Sequence, residues 1–212
     1  MLINKHIDIP YQQLPEEGQF GVSTLAAFKG ELSDLPHRHD YFQIIWFITG
    51  KGRHMVDFVW HEVSDNLIFF LRPGQVHQVD AESTGFSVYF SEQFYFTNRQ
   101  DKESLFDFTT LFDDWQGYRP VSVSDTTSEA LGGLINLMAK ERKALDYHSY
   151  AILKHYLSAF LLQIEQDKIR NAANGQVSAT YDARVVQLRR LLELHFRTEH
   201  QVTFYANAFS LT

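Results

Sequence analysis

Between Leu35 and Asp80 the chain sets apolar runs of strand length between glycine-containing turns, and that spacing commits it to a β-rich body. Tyr41 to Thr49 is apolar on both sides: Gln43, Ile45 and Phe47 fall on one face, and Phe42, Ile44, Trp46 and Ile48 on the other. Such a run predicts a strand buried on both faces. Gly50-Lys-Gly52 reads as a turn and Met55 to Val63 as the partner strand of a hairpin. Leu67 to Leu71, Val76 to Val79 and Phe86 to Phe90 supply further short strands, with Arg72-Pro73-Gly74 breaking between the first two. Strands this short and this regularly spaced predict a small barrel or sandwich. Phe20 to Phe28 opens the sheet, and residues 1 to 18, with Pro10 and Pro15, read as an arm lying over it.

The same stretch carries the chemistry. Pro36 holds Leu35 extended and delivers His37 and His39 to one face, which by strand parity also holds Gln43, Ile45 and Phe47. If that face points inward, imidazoles, an amide and apolar walls line one cavity. His37-x-His39 with Gln43 and Gly50, then Pro73-Gly74-x-x-His77, is similar to the two half-motifs of the cupin barrel, and the spacing resembles that of AraC-type transcription regulators. Metal-binding cupins have a glutamate where this chain has Gln43 and an asparagine where it has Ala81. A neutral amide is a poor substitute for a carboxylate ligand, so the resemblance implies a barrel with no resident metal and no cofactor.

The 212 residues are 44% hydrophobic, with 18 Phe and 10 Tyr, enough to bury a substantial core. No apolar run approaches the roughly 20 residues of a membrane helix, and the N-terminus lacks a signal-peptide core, which predicts a cytoplasmic protein without membrane contact. The absence of cysteine removes disulfides, thiolate ligands and thiol nucleophiles. Residues 1–167 carry 13 Lys and Arg against 23 Asp and Glu, while residues 168–212 carry 6 against 3. Only the C-terminal end has the charge to tolerate a polyanion.

Helical spacing predicts a helix from Asp125 or Ser128 to Leu145, with those two residues as candidate caps, and a second from Tyr147 to Ile169. On the second, Ile152, Leu153, Tyr156, Leu157, Phe160, Leu161 and Ile164 present more apolar surface than one contact requires. Docking on the barrel and pairing with a second copy both account for it, and the AraC resemblance, in which such helices form the dimer interface, implies a homodimer. Residues 171–180 are small, polar and aperiodic, a linker. Val185 to Thr212 resembles the opening of the AraC-type DNA-binding domain, ending where that family turns into its recognition helix.

The expectation is therefore an α+β chain: a cupin-like double-stranded β-barrel over residues 1–124, a helical dimerisation region over 125–170, the linker, and a truncated start of a helix-turn-helix domain over 181–212. The resemblance implies the ligand-sensing part of a transcription regulator, not an enzyme, with a small-molecule effector held by His37, His39, Gln43, Ile45, Phe47 and His77. A small polar metabolite and an apolar acid both suit those residues. DNA would be reached only through the full-length protein. The competing reading is a metal-dependent cupin enzyme, an isomerase or dioxygenase, using His37, His39 and His77. A third is a structural dimerisation module whose barrel is packed shut.

Overall fold

A computed structural model describes residues 9–14, 19–28, 35–95, 109–112, 118–143, 146–173, 188, 191–192, 195 and 198–209. The chain forms two compact units, residues 1–168 and 169–212. The expected linker beyond Ala173, and Val185, Phe196 and the arginines around them, lie outside the described residues.

The first unit is a mixed α+β structure built on a six-stranded sheet in which all the pairings are antiparallel. Its strands are β2 (Phe20–Thr24), β4 (Phe42–Val56), β5 (Val59–Val63), β6 (Leu67–Leu71), β7 (His77–Phe90) and β8 (Val121–Ser122). The order is β2-β7-β4-β6-β8, with β5 also on β4. Two short strands, β1 (Tyr11–Gln12) and β3 (Arg38–His39), pair in parallel and tie the N-terminal arm beside the histidines.

Phe42–Val56 is one 15-residue strand rather than a strand ending at Gly50-Lys51-Gly52. Likewise Val76 to Val79 and Phe86 to Phe90 are not separate strands, since β7 runs unbroken from His77 to Phe90. The glycines shape these strands instead of ending them. Gly52 and Gly85 have φ of +130° and +153°, and a Cβ on Gly85 would collide with the Trp46 carbonyl oxygen across the ladder. Register shifts there: Phe47 faces Gly85 while Thr49 faces Thr84, leaving Ile48 as the extra residue of a β-bulge.

The hairpin turns at Asp57 and Phe58, both left-handed at φ of 47° and 65°, as a right-twisted two-residue turn requires. Asp57 is held there, accepting from Gln75 Nε2 at 2.9 Å and Val76 N–H at 3.2 Å. Phe58 has no such support and is 68% exposed. Replacing Phe58 with Gly is expected to raise stability by about 1 kcal/mol, measured by urea titration, because it relieves a left-handed bulky residue and removes no contact of the core. An unchanged or lowered midpoint would contradict that reading of the turn.

Because β4 and β6 are apolar on both faces, the sheet carries two cores. On one face Ile44, Trp46, Ile68, Phe70, Val88 and Phe90 pack with the long helices, numbered after the short α1 (Leu25–Phe28), α2 (Glu92–Tyr95) and α3 (Thr109–Phe112). These are α4 (Asp125–Glu141), contributing Leu131, Ile135 and Met138, and α5 (Tyr147–Ala173). From α5 come Leu153, Leu157, Phe160, Leu161 and Ile164, each no more than 1% exposed. Five of the seven residues expected to face a second copy are thus spent in the chain's own core. Ile152 remains exposed and Tyr156 partly buried. On the opposite face Leu25, Ile45, Phe47, Val56, Val63, Phe69 and Leu71 form the second core, next to the histidines.

The cap of α4 is Ser124, one residue before the earlier of the two expected caps, and its hydroxyl accepts from Thr127 N–H at 3.3 Å. Asp167 of α5 reaches this corner, accepting from Ser124 N–H at 2.9 Å, from the Ser124 hydroxyl at 2.9 Å and from the Thr127 hydroxyl at 2.8 Å. In the second unit, α6 (Val202–Ala208) buries Tyr205, whose hydroxyl donates to the Glu199 carbonyl at 2.8 Å. The Phe204 ring meets His195 at 5.1 Å.

Candidate functional site

The two histidine segments meet because their backbones pair. His37 N–H donates to the His77 carbonyl at 3.0 Å and His77 N–H to the His37 carbonyl at 2.8 Å. The Pro73-Gly74 turn is fixed to the same place, with Gly74 N–H donating to the His39 carbonyl at 2.7 Å. Ring centroids then stand 4.2 Å apart for His37 and His77, and 5.1 Å for His39 and His77. A fourth ring joins them: His54 Nε2 lies 3.2 Å from His77 Nδ1.

His54 was not expected at the site. Counted along β4 by simple alternation it belongs opposite Gln43, Ile45 and Phe47, but the extra residue at Ile48 inverts the alternation and turns His54 inward. Parity could have found Val79 and Ala81, which share the face of His77 on one strand.

All four histidines are at most 1% exposed. Burial lowers His39 to about 4, with the Tyr41 carbonyl pulling the other way and His37 adding to the drop. Burial, helped by His61 and His37, lowers His54 to about 3. His77 is held well below the usual histidine range for the same reason, with His54, His37 and His39 adding to it. At neutral pH His39, His54 and His77 are uncharged. His39 Nδ1 donates to the Tyr41 carbonyl at 2.7 Å, so its Nε2 is the acceptor. Gln43 Nε2 donates to Ser87 Oγ at 2.9 Å. Among the described residues, His39 Nε2, Gln43 Oε1, His54 Nδ1 and His77 Nε2 are buried without a hydrogen-bond partner. Four such atoms in one cluster are what a site for a polar ligand or ordered water presents.

Beside the cluster is a cavity of about 600 Å³. His37, Ile45 and His77 line it, together with Leu25, Gly52, Val79 and Ala81. His39, Gln43 and Phe47 are fully buried behind this wall rather than on it. Around it stand Lys51, Arg53, Glu62, Asp80 and Glu82, and Arg53 satisfies Asp80 at 3.1 Å while lying over the Trp60 ring. These five side chains carry two positive and three negative charges. Among the described residues no three His, Asp or Glu side chains are placed to hold one metal ion.

A family model described as the AraC-like ligand binding domain matches residues 33–157. Among solved structures the chain is similar to the AraC-like transcriptional activator CuxR, at 12% identity and a TM-score of 0.39, over 82% of this chain and 58% of that one. It is also similar to an apo variant of ToxT from Vibrio cholerae, at 12% identity and a TM-score of 0.40, over 92% and 72%. The chain spans 58% of the length of the CuxR chain. No curated protein matches it. No helix among the described residues is long and apolar enough to cross a membrane.

Proposed function

We propose that this chain, which belongs to the AraC-like ligand binding domain family, is the effector-sensing part of an AraC-type transcription regulator and takes a small molecule into the histidine-lined cavity. The observation that carries the reading is the juxtaposition of a cavity of about 600 Å³ with four buried polar atoms that lack partners. Such a space suits an uncharged or weakly polar molecule that hydrogen-bonds to neutral imidazole and rests on Ile45, Leu25 and Val79. His37 and His77 would touch it, and His39, Gln43 and Phe47 would shape the wall from behind.

In this reading residues 1–124 form a cupin-like barrel, 125–173 a helical region that also meets a second copy, with α5 running three residues into the expected linker, and 174–180 the linker to a DNA-binding domain opened by residues 181–212. DNA is engaged by the full-length cytoplasmic protein, and no reaction is catalysed. The metal-enzyme alternative needs His37, His39 and His77 to converge on one ion, and the described residues do not provide that convergence.

Effector binding must favour one packing of the arm and helices over another to have a consequence. The test is a thermal-shift screen of sugars, polyols, and aliphatic and aromatic acids on the native chain and on His77→Phe. At least one compound should raise the melting temperature saturably in the native chain and not in the variant. A panel with no such compound, or one whose best compound acts equally on both, would count against the site.

For the dimer, the large apolar side chains left exposed on α4 and α5 are Leu137, Ile152, Leu162 and Ile169, and Ile152 and Leu162 are the pair to change. Sedimentation at micromolar concentration should show a dimer, and the paired substitution Ile152→Glu with Leu162→Glu should give a folded monomer. A native monomer would refute pairing through these helices.

A further inference from the structure

His77 lines the cavity, and His54 stands behind it without touching the cavity. Their near nitrogens are 3.2 Å apart, while the far ones, His77 Nε2 and His54 Nδ1, are buried and have no partner among the described residues. The groups that bear on the two rings are other histidines, His37, His39 and His61, together with burial; no carboxylate is among them. The Phe69 ring packs on His54 at 4.3 Å and Phe47 at 6.1 Å. Each ring is therefore neutral and carries one N–H.

A single hydrogen bond between two neutral imidazoles admits two arrangements. In one, His54 Nε2–H donates to His77 Nδ1; His77 then keeps its proton on Nε2, which is a donor. In the other, His77 Nδ1–H donates to His54 Nε2; His77 Nε2 is then bare and shows an acceptor, while His54 carries its proton on Nδ1. Mixed tautomers would set two N–H groups or two lone pairs against each other. We propose that His54 is a specificity-determining positioning residue of the effector site, coupling its tautomer to that of His77 so that this residue of the cavity wall carries either a donor or an acceptor at its unpartnered Nε2. Passing from the first arrangement to the second moves one proton across the bond. It releases another from His77 Nε2 to water and returns one from water to His54 Nδ1, so the charge of the pair does not change.

The functional meaning of this couple rests on reading the cavity as the effector site; the coupling itself does not. Long-range proton–nitrogen correlation spectra of the whole, histidine-labelled chain at neutral pH read the Nε2–H fraction of each ring. The two fractions should be equal and both rings neutral. One ring holding its proton on Nε2 while the other holds it on Nδ1, or either ring charged, would overturn the proposal. His54→Phe removes the partner and keeps the apolar contacts, and in the folded variant the Nε2–H fraction of His77 should move away from its native value. An unchanged fraction would show that His54 does not set it. Unequal fractions in a chain that binds a cavity compound would remove the coupling and leave the effector reading. Equal fractions in a chain that binds none would support the coupling and count against the effector reading alone.

Discussion

Lowering the pH from about 7 to about 4 is expected to remove on the order of 6 kcal/mol of folding stability, comparable to the whole stability of an ordinary domain. The source is the buried cluster. His39 titrates at about 4 and His54 at about 3 in the folded chain, both lowered first by burial. In the unfolded chain each titrates near ~6.5. Above that value neither state holds the protons, and the pair leaves stability independent of pH. Below it the unfolded chain binds protons that the folded chain refuses, so stability falls by about 1.4 kcal/mol per pH unit for each ring. The loss ends near pH 4 for His39 and near pH 3 for His54, where the folded rings also protonate. Denaturant midpoints measured across this range give the slope, and His54→Phe should reduce it by one ring's share. A midpoint that stays flat between neutral pH and pH 5 would contradict the burial argument.

The second large effect belongs to Asp167. Replacing it with Ala should destabilise the first unit by about 2 kcal/mol, because it leaves the buried Thr127 hydroxyl without its acceptor and takes the same acceptor from the N–H and hydroxyl of the more exposed Ser124. Those groups open α4, so the damage should fall there. Hydrogen exchange in the first turn of α4 should quicken in Asp167→Ala more than in β4, and Asp167→Asn, which keeps an acceptor oxygen, should lose less. A loss under about 1 kcal/mol, the worth of one ordinary hydrogen bond, would mean that water replaces the Asp167 carboxylate at the Thr127 hydroxyl as well.

Much of this architecture was legible in the residues because burial on both faces leaves unbroken apolar runs. Tyr41 to Thr49 reads as a strand buried on both faces and is so from Gln43 to Phe47, with Thr49 exposed; Leu67 to Leu71 reads as a short strand and is buried throughout; α4 and α5 begin within a residue or two of where their spacing places them. What could not be read depends on local geometry with no compositional mark. Gly50-Lys51-Gly52 has the composition of a turn, yet its glycines serve strands that approach too closely for a side chain, and the turn falls on Asp57 and Phe58, whose left-handed backbone is unusual for a phenylalanine. The Ile48 bulge is silent in the sequence as well, and with it the inward turn of His54. The breadth of the α5 stripe was visible. Its division between a sheet and open surface was not, since Leu153 and Ile152 look alike until the sheet is in place.

The most direct test of the sensing account is calorimetric titration of the compound that most raises the melting temperature, against the native chain and against Ala81→Trp. Ala81 sits on the cavity wall, and an indole there occupies space that a ligand needs. The account predicts saturable, one-to-one binding by the native chain, reduced by at least about tenfold in Ala81→Trp, a loss of roughly 1.4 kcal/mol of binding free energy. Equal affinity for both chains, with the variant folded, would place the ligand elsewhere and contradict the claim that this histidine-lined cavity is where the chain senses its effector.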